Sequence, residues 1–131
     1  IQTSLRAADG GWLLSGQKSW VTLGAQDLIF VVARLDRAGE PSRPQLRVVR
    51  VDPTKPGVMR ATLPPISFVP EIPHIRLSLT DVWVEDRDIL AGDGYDEYLK
   101  PFRTIEDIHV HAAVVAWLLS LGSRFGWAQT T

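Results

Sequence analysis

A mainly β fold followed by one long helix is what this 131-residue chain predicts, and three observations predict it. Short runs with period-two alternation, separated by turn residues, fill the chain to about Leu90. Four prolines within Pro64–Pro73 rule out a helix interior or a central strand there. From about Pro101 onward the apolar residues recur at helical spacing. The expected form is a compact β-barrel or orthogonal sandwich over residues 1–92, then a hinge and helix over 93–131.

The elements follow in order. Gln2 to Ala8 alternates up to an Asp9-Gly10-Gly11 turn, and Trp12 to Ser15 resumes the ribbon, the pattern of an Asp-Gly hairpin. Gly16 inside the next strand predicts a bulge or bend. Leu28 to Ala33 is apolar at every position, which predicts a strand covered on both faces. Arg34 to Pro44 is charged and broken by proline and glycine, hence a surface loop. Gln45 to Asp52 alternates, with Leu46, Val48 or Val49, and Val51 as core candidates. After the turn at Pro53, Pro56 and Gly57, Val58 to Leu63 reads as a short strand. Ile75 to Leu79 and Asp81 to Val84 read as the last two, closed by polar Glu85 to Asp88. Thr104-Ile105-Glu106-Asp107 has the form of a helix capping box. Ile105, Ile108, Ala112, Val115 and Leu119 then make one apolar stripe, which Trp117, Leu118 and Leu121 widen. A small barrel covers only one face of such a helix, so a further segment or a second copy is expected to bury the excess.

Bulk properties narrow the function. A formal net charge of −1 and no basic run interleaved with aromatics argue against a nucleic-acid surface. The absence of cysteine removes disulfides, thiolate metal sites and cysteine nucleophiles. Val110 to Leu121, interrupted by His111 and Ser120, falls short of the ~20 apolar residues of a bilayer span, so a soluble helix and no membrane span are expected. The chain opens at Ile1 with no leader, which predicts a piece of a longer protein, and the expected location is cytoplasmic.

The candidate binding feature is Leu14 to Gln26, which reads as strand, kink, strand and turn. Alternation puts Trp20 and Thr22 on one face and Val21 and Leu23 on the other. An indole beside a hydroxyl offers a flat heteroaromatic ligand an apolar plane and a hydrogen bond. The plainer alternative is a core tryptophan beside an idle strand threonine. No metal site is expected: Glu106 and His109 have the Glu-x-x-His spacing of di-iron bundles but occur once, and His109 and His111 face different ways. His74 reads as a surface or hydrogen-bonded histidine near a strand end.

Gly16-Gln17-Lys18-Ser19-Trp20-Val21-Thr22-Leu23-Gly24 resembles the Gly-x-Lys-x-Trp-Ile-Thr-x-Gly segment of acyl-CoA dehydrogenases. The likeness continues through Asp27 to Arg34, through Pro73 to Val84 with its Asp81-Val82-Trp83-Val84, and through Leu90-Ala91-Gly92-Asp93-Gly94-Tyr95. The resemblance implies the family's middle β-barrel domain plus the first helix of its C-terminal helical domain. It implies FAD as cofactor, with Trp20 beside the isoalloxazine and Thr22 bonding its reactive edge. It also implies an acyl-CoA thioester oxidised across its α and β carbons with hydride transfer to flavin, an electron-transfer acceptor and a homo-oligomer.

Departures from the pattern accompany it. Phe102 falls where the family has an aromatic near the pantetheine arm, but Arg103 stands where aspartate is common and Glu106 where arginine is common. Phe102 and Arg103 are the substrate-binding candidates. Some members carry their catalytic glutamate on this helix, one residue earlier, where Ile105 stands. One residue turns a helix by about 100°, so Glu106 is a base candidate with a plain alternative role near the positive end of the helix dipole. The resemblance places the family's Gly-x-Gly-Ser-Asp loop upstream of Ile1 and most members' catalytic carboxylate beyond the chain, so the chain alone is expected to be inactive. The competing reading is a degenerate, non-catalytic β-module for ligand binding or assembly.

Overall fold

The computed structural model describes residues 2–36 and 45–127. They divide into two compact units, Ile1–Tyr95 and Asp96–Thr131. The first is a six-stranded sheet of β1 (Thr3–Ala8), β2 (Gly11–Thr22), β3 (Ile29–Asp36), β4 (Leu46–Val51), β5 (Val58–Thr62) and β6 (His74–Val84). The strand order is β4-β3-β1-β2-β6-β5, antiparallel throughout except for the parallel pair β1–β3. A mainly β unit preceding one long helix is thus observed. Most of the loop expected at Arg34 to Pro44 lies outside the described residues, while Arg34 to Asp36 continue β3.

One face of the sheet holds the core. Leu5, Leu14, Val31, Val49, Leu77 and Val82 are fully or almost fully buried in a single cluster. Each such side chain contributes roughly 1.5–3 kcal/mol by leaving water. β3 alternates rather than being covered on both faces. Ile29, Val31, Ala33 and Leu35 are buried while Phe30 is 58% exposed, so one face of the strand is turned to the core and the other is not. In β4 both Val48 and Val49 are buried together with Leu46 and Val51.

The expected closed barrel is not formed. β4 and β5 are the two edges and do not pair with each other. The sheet curls only far enough for the segment after β6 to meet β4: Ile89 bridges Val49, and the Leu90 N–H donates to the Val48 carbonyl at 2.9 Å. Closing a sheet requires continuous ladder pairing round the ring, and a single bridge does not supply it. The returning segment is pinned by polar contacts. The Trp12 indole N–H donates to Asp86 at 2.7 Å, and the Asp88 carboxylate accepts from Arg50 at 3.2 Å and Lys55 at 3.1 Å. Burial pushes the Asp88 carboxyl up, but the hydrogen bonds from Lys55 and Arg50 and the Lys55 charge outweigh it and hold the group below the usual carboxylate range.

β2 carries two irregularities against β6. Leu14 faces Val82 and Gly16 faces Leu79, so the extra residue lies on β6, where Asp81 takes φ 45°. Ser15 fixes this bulge, accepting from the Asp81 N–H at 3.0 Å and donating to its carboxylate at 2.9 Å. The irregularity predicted at Gly16 is therefore on the opposing strand. Gly16 itself sits at φ 140°, and a Cβ there would run into the Gln2 carbonyl and Thr3 Cα. The second irregularity lies between Lys18 and Val21, on β2.

A π-helical stretch, Gly94–Leu99, starts at the end of the first unit and leads directly into α1 (Lys100–Arg124). The capping box does not form: Thr104 is inside the helix, and its hydroxyl donates to the Lys100 carbonyl at 2.9 Å. Pro101 reads as a helix start, and it stands in the first turn of α1, where a missing N–H is tolerated, but the π-helical stretch ahead of it makes the helical run begin earlier. Glu106 accordingly lies away from the positive end of the dipole. The helix stops in a Schellman turn, with Gly126 at φ 63° and the Trp127 N–H donating to the Gly122 carbonyl at 2.9 Å. Residues 101 to 120 are all exposed. Within the 31-residue helical stretch Gly94–Arg124 an 18-residue window with a mean hydropathy of 1.3 is long and apolar enough to cross a bilayer by length and composition, which the run Val110 to Leu121 alone does not suggest. Glu106, Asp107, His109 and His111 stand near its middle, where charge is most costly in lipid.

Two outcomes follow for the β-unit. Asp88→Asn should lower its stability at pH 7 by about 1 kcal/mol, the scale of a hydrogen bond to a charged partner. Because the folded carboxyl titrates below the unfolded one, its contribution is complete above the unfolded value, near pH 4, and fades as pH falls through the folded value. Denaturant midpoints of the two proteins should therefore converge in acid, and a constant gap would contradict the assignment. Gly16→Ala should cost about 2 kcal/mol or more, and an unchanged unfolding midpoint would show that the close approach to Thr3 is not a constraint.

Candidate functional site

The outer face of the β2–β6 ribbon presents the predicted pair. Val21 faces Ile75 across the ladder, and both point to the core side, where Ile75 is buried and Val21 packs against the cluster. Trp20 and Thr22, on either side of Val21, are exposed, Trp20 by 61%. The bulge between Lys18 and Val21 sets this arrangement. Three steps on β2 match two on β6, so the extra residue breaks strict alternation ahead of Trp20. Both Ser19 and Trp20 are consequently exposed, and Val21 returns to the core in register.

The far end of the wall is tied down. Leu23 takes φ 54°, its N–H donates to the Pro73 carbonyl at 3.0 Å, and the Gln26 N–H closes the turn on the Leu23 carbonyl at 3.2 Å. Leu23 thus turns outward instead of sharing the core face with Val21. Arg60, on β5, donates to the carbonyls of Gly24 and Gln26, both at 3.3 Å. Gly24 is buried flat on Ile75, and a Cβ would overlap that side chain. A turn held from three directions keeps Thr22 in one place relative to Trp20.

The near end is tied by Lys18. β1 begins at Thr3, opposite Gly16, so β2 beyond Gly16 and the start of β3 have no strand between them. The Lys18 ammonium reaches across and donates to the Val32 carbonyl at 2.8 Å. Burial lowers the pKa of this amine from its ordinary value.

His74, directly opposite Thr22, is not the plain surface or hydrogen-bonded histidine expected. It is half-buried, its Nδ1 is buried without a hydrogen-bond partner, and its ring meets Trp20 edge-on, with centroids 5.7 Å apart at 72°. Lys18, Arg60 and His74 are the residues that the sequence reading passed over. The alternation of Ile75, Leu77 and Leu79 could have placed His74 on the outer face, but only the paired register shows that it meets Trp20.

The remaining candidates lie elsewhere. Phe102, Arg103 and Glu106 are exposed on α1, in the helical unit. His111 Nδ1 lies 2.6 Å from the Asp107 carbonyl, a bond within one helical turn. Among the described residues no three His, Asp or Glu side chains gather as a metal site. Cavities of about 280, 350 and 300 Å³ are lined by neither Trp20 nor Thr22, and both side chains of the pair are exposed.

No protein-family profile and no curated protein sequence matches the chain. Solved structures do. A glutaryl-coenzyme A dehydrogenase in complex with glutaryl-CoA is 28% identical at a TM-score of 0.61, over 72% of this chain and 24% of that one. An acyl-CoA dehydrogenase from Geobacillus kaustophilus is 26% identical at 0.61, over 72% and 25%. One from Bacillus anthracis, complexed with FAD, is 26% identical at 0.60, over 72% and 16%. The chain thus spans about a quarter or less of the length of the solved chains it matches. Four ordered sequence motifs and a shared fold agree, and the chain is similar to a segment of the acyl-CoA dehydrogenases.

Proposed function

We propose that the protein containing this chain binds FAD against the Trp20–Thr22 wall and oxidises an acyl-CoA thioester across its α and β carbons. The observation that carries this is the outward, doubly anchored placement of an indole and a hydroxyl on one face of β2. Matched proteins support it: the Bacillus anthracis relative is a complex with FAD and the glutaryl-CoA dehydrogenase a complex with glutaryl-CoA.

The donor set suits the group. Trp20 offers a flat apolar plane for part of a flavin ring to lie against, and Thr22, two residues on, offers a hydroxyl to a polar ring edge. A bound flavin supplies the hydride-accepting chemistry. The chain's own residues hold the ring, orient it and favour negative charge at the edge Thr22 bonds, because a fixed donor stabilises charge without reorganising. On α1, Phe102 and Arg103 are the groups for the thioester arm, and Glu106 is the carboxylate this segment offers as base. An electron-transfer acceptor and association with further copies complete the proposed holoenzyme, placed in the cytoplasm.

The bare surface of α1 favours a second reading, a non-catalytic module that assembles through residues 104 to 128. Colour separates the two. The purified protein reconstituted with FAD should be yellow. Trp20→Ala should weaken FAD binding about tenfold or more, and Thr22→Val about threefold, the scale of one hydrogen bond. A protein that stays colourless yet self-associates through the helix would replace the enzyme reading with the module.

A further inference from the structure

We propose that His74 is a positioning residue for Trp20: its imidazole edge sets the angle at which the indole meets a planar ligand. The inference rests on the flavin reading for the identity of that ligand, but its geometry does not.

Trp20 needs a restraint that its backbone does not provide. It lies in the bulged stretch between Lys18 and Val21, where the ladder to β6 is interrupted. Its side chain stands out from the sheet, 61% exposed, with its inner neighbours in sequence committed elsewhere: Lys18 to Val32 and Val21 to the core. An indole in that position is free to swing about its two side-chain torsions unless something abuts it.

His74 is the ring that abuts it. Register puts His74 opposite Thr22, on the outer face, because Ile75 next to it is buried opposite Val21. The two rings meet near-perpendicular at 5.7 Å, the edge-to-face geometry in which a ring's positive rim approaches a negative π-face. His74 is itself fixed from behind: its carbonyl accepts from the Leu63 N–H at 2.9 Å, and the Pro73 carbonyl before it accepts from Leu23. Among the described residues the buried Nδ1 of the imidazole has no hydrogen-bond partner. A histidine kept in place by hydrogen bonding would have its nitrogens satisfied. Packing against the indole is therefore what the two rings share, and a change in either is transmitted to the other.

The test uses the protein that carries this chain, with its tryptophans, five of them in this chain, replaced biosynthetically by fluorotryptophan. The Trp20 fluorine resonance is identified by its loss in Trp20→Phe. Without flavin, His74→Ala should move that resonance, and His74→Phe, which keeps a ring of similar size in place, should hold it near its original position. With FAD, His74→Ala should weaken binding about three- to tenfold, the range of one aromatic pair converted at a decade per 1.4 kcal/mol, and His74→Phe should recover most of the loss. In a Trp20→Phe background, His74→Ala should have a smaller effect than in the wild type, since coupled residues are not additive. A general loss of folding would instead lower affinity equally in both backgrounds. An unmoved resonance, or additive effects on affinity, would overturn the proposal. If the wild-type protein binds no FAD, the flavin reading falls and the resonance shift still decides whether His74 braces Trp20.

Discussion

The pairing of β2 with β6 is the constraint on which the rest depends. These are the two longest strands, and they lie inside the sheet rather than at its edges. β2 brings β1, and through it β3 and β4, while β6 brings β5. Leu14, Val82, Leu77 and Ile75 from the shared inner face are the centre of the core. A one-residue slip along this pair would exchange core and solvent faces. The two bulges hold the register because each is locked by its own chemistry, Ser15 with Asp81 at one and the Lys18 ammonium at the other.

The same bulges make the ribbon more than a scaffold. A regular strand would alternate without interruption, and an exposed tryptophan on it would be an ordinary surface residue. The extra residue between Lys18 and Val21 frees Trp20 from the ladder while leaving Val21 in the core. The turn that follows is gripped by Pro73, Arg60 and Ile75. Binding chemistry needs side chains placed by a rigid frame yet not buried in it, and this ribbon meets both conditions over three residues.

The helical unit has a different balance. Its apolar residues are exposed along its whole length, so its stability in isolation rests on backbone hydrogen bonding and the Schellman cap. That surface is what a bundle, a second copy or a bilayer would cover, and the charged and histidine residues near its middle weigh toward protein over lipid. The substrate-side candidates Phe102, Arg103 and Glu106 sit exposed on this helix.

Local patterns determined much of this protein. Alternation and one continuous apolar run located the sheet's strands to within a few residues, although Ile75–Leu79 and Asp81–Val84, which read as two strands, form one, β6, bulged at Asp81. The Asp9-Gly10 turn joined the first two, and the side chains at 20 and 22 share a face because strand geometry makes them do so. The apolar stripe located the long helix. Other features depend on pairing between distant segments, which no local period encodes. Whether the sheet closes depends on what pairs with β4 and β5, and among the described residues the segment after β6 meets the β4 backbone only at the Ile89–Val49 bridge and the Leu90–Val48 hydrogen bond. The helix start depended on the π-helical stretch ahead of Pro101, which turned an apparent capping box into an interior turn. That His74 meets Trp20 depends on a bulge that shifts one strand by a residue against another more than fifty positions away. Side-chain periodicity is written into neighbouring residues, whereas register, closure and ring contacts arise only when strands far apart in the chain are brought side by side.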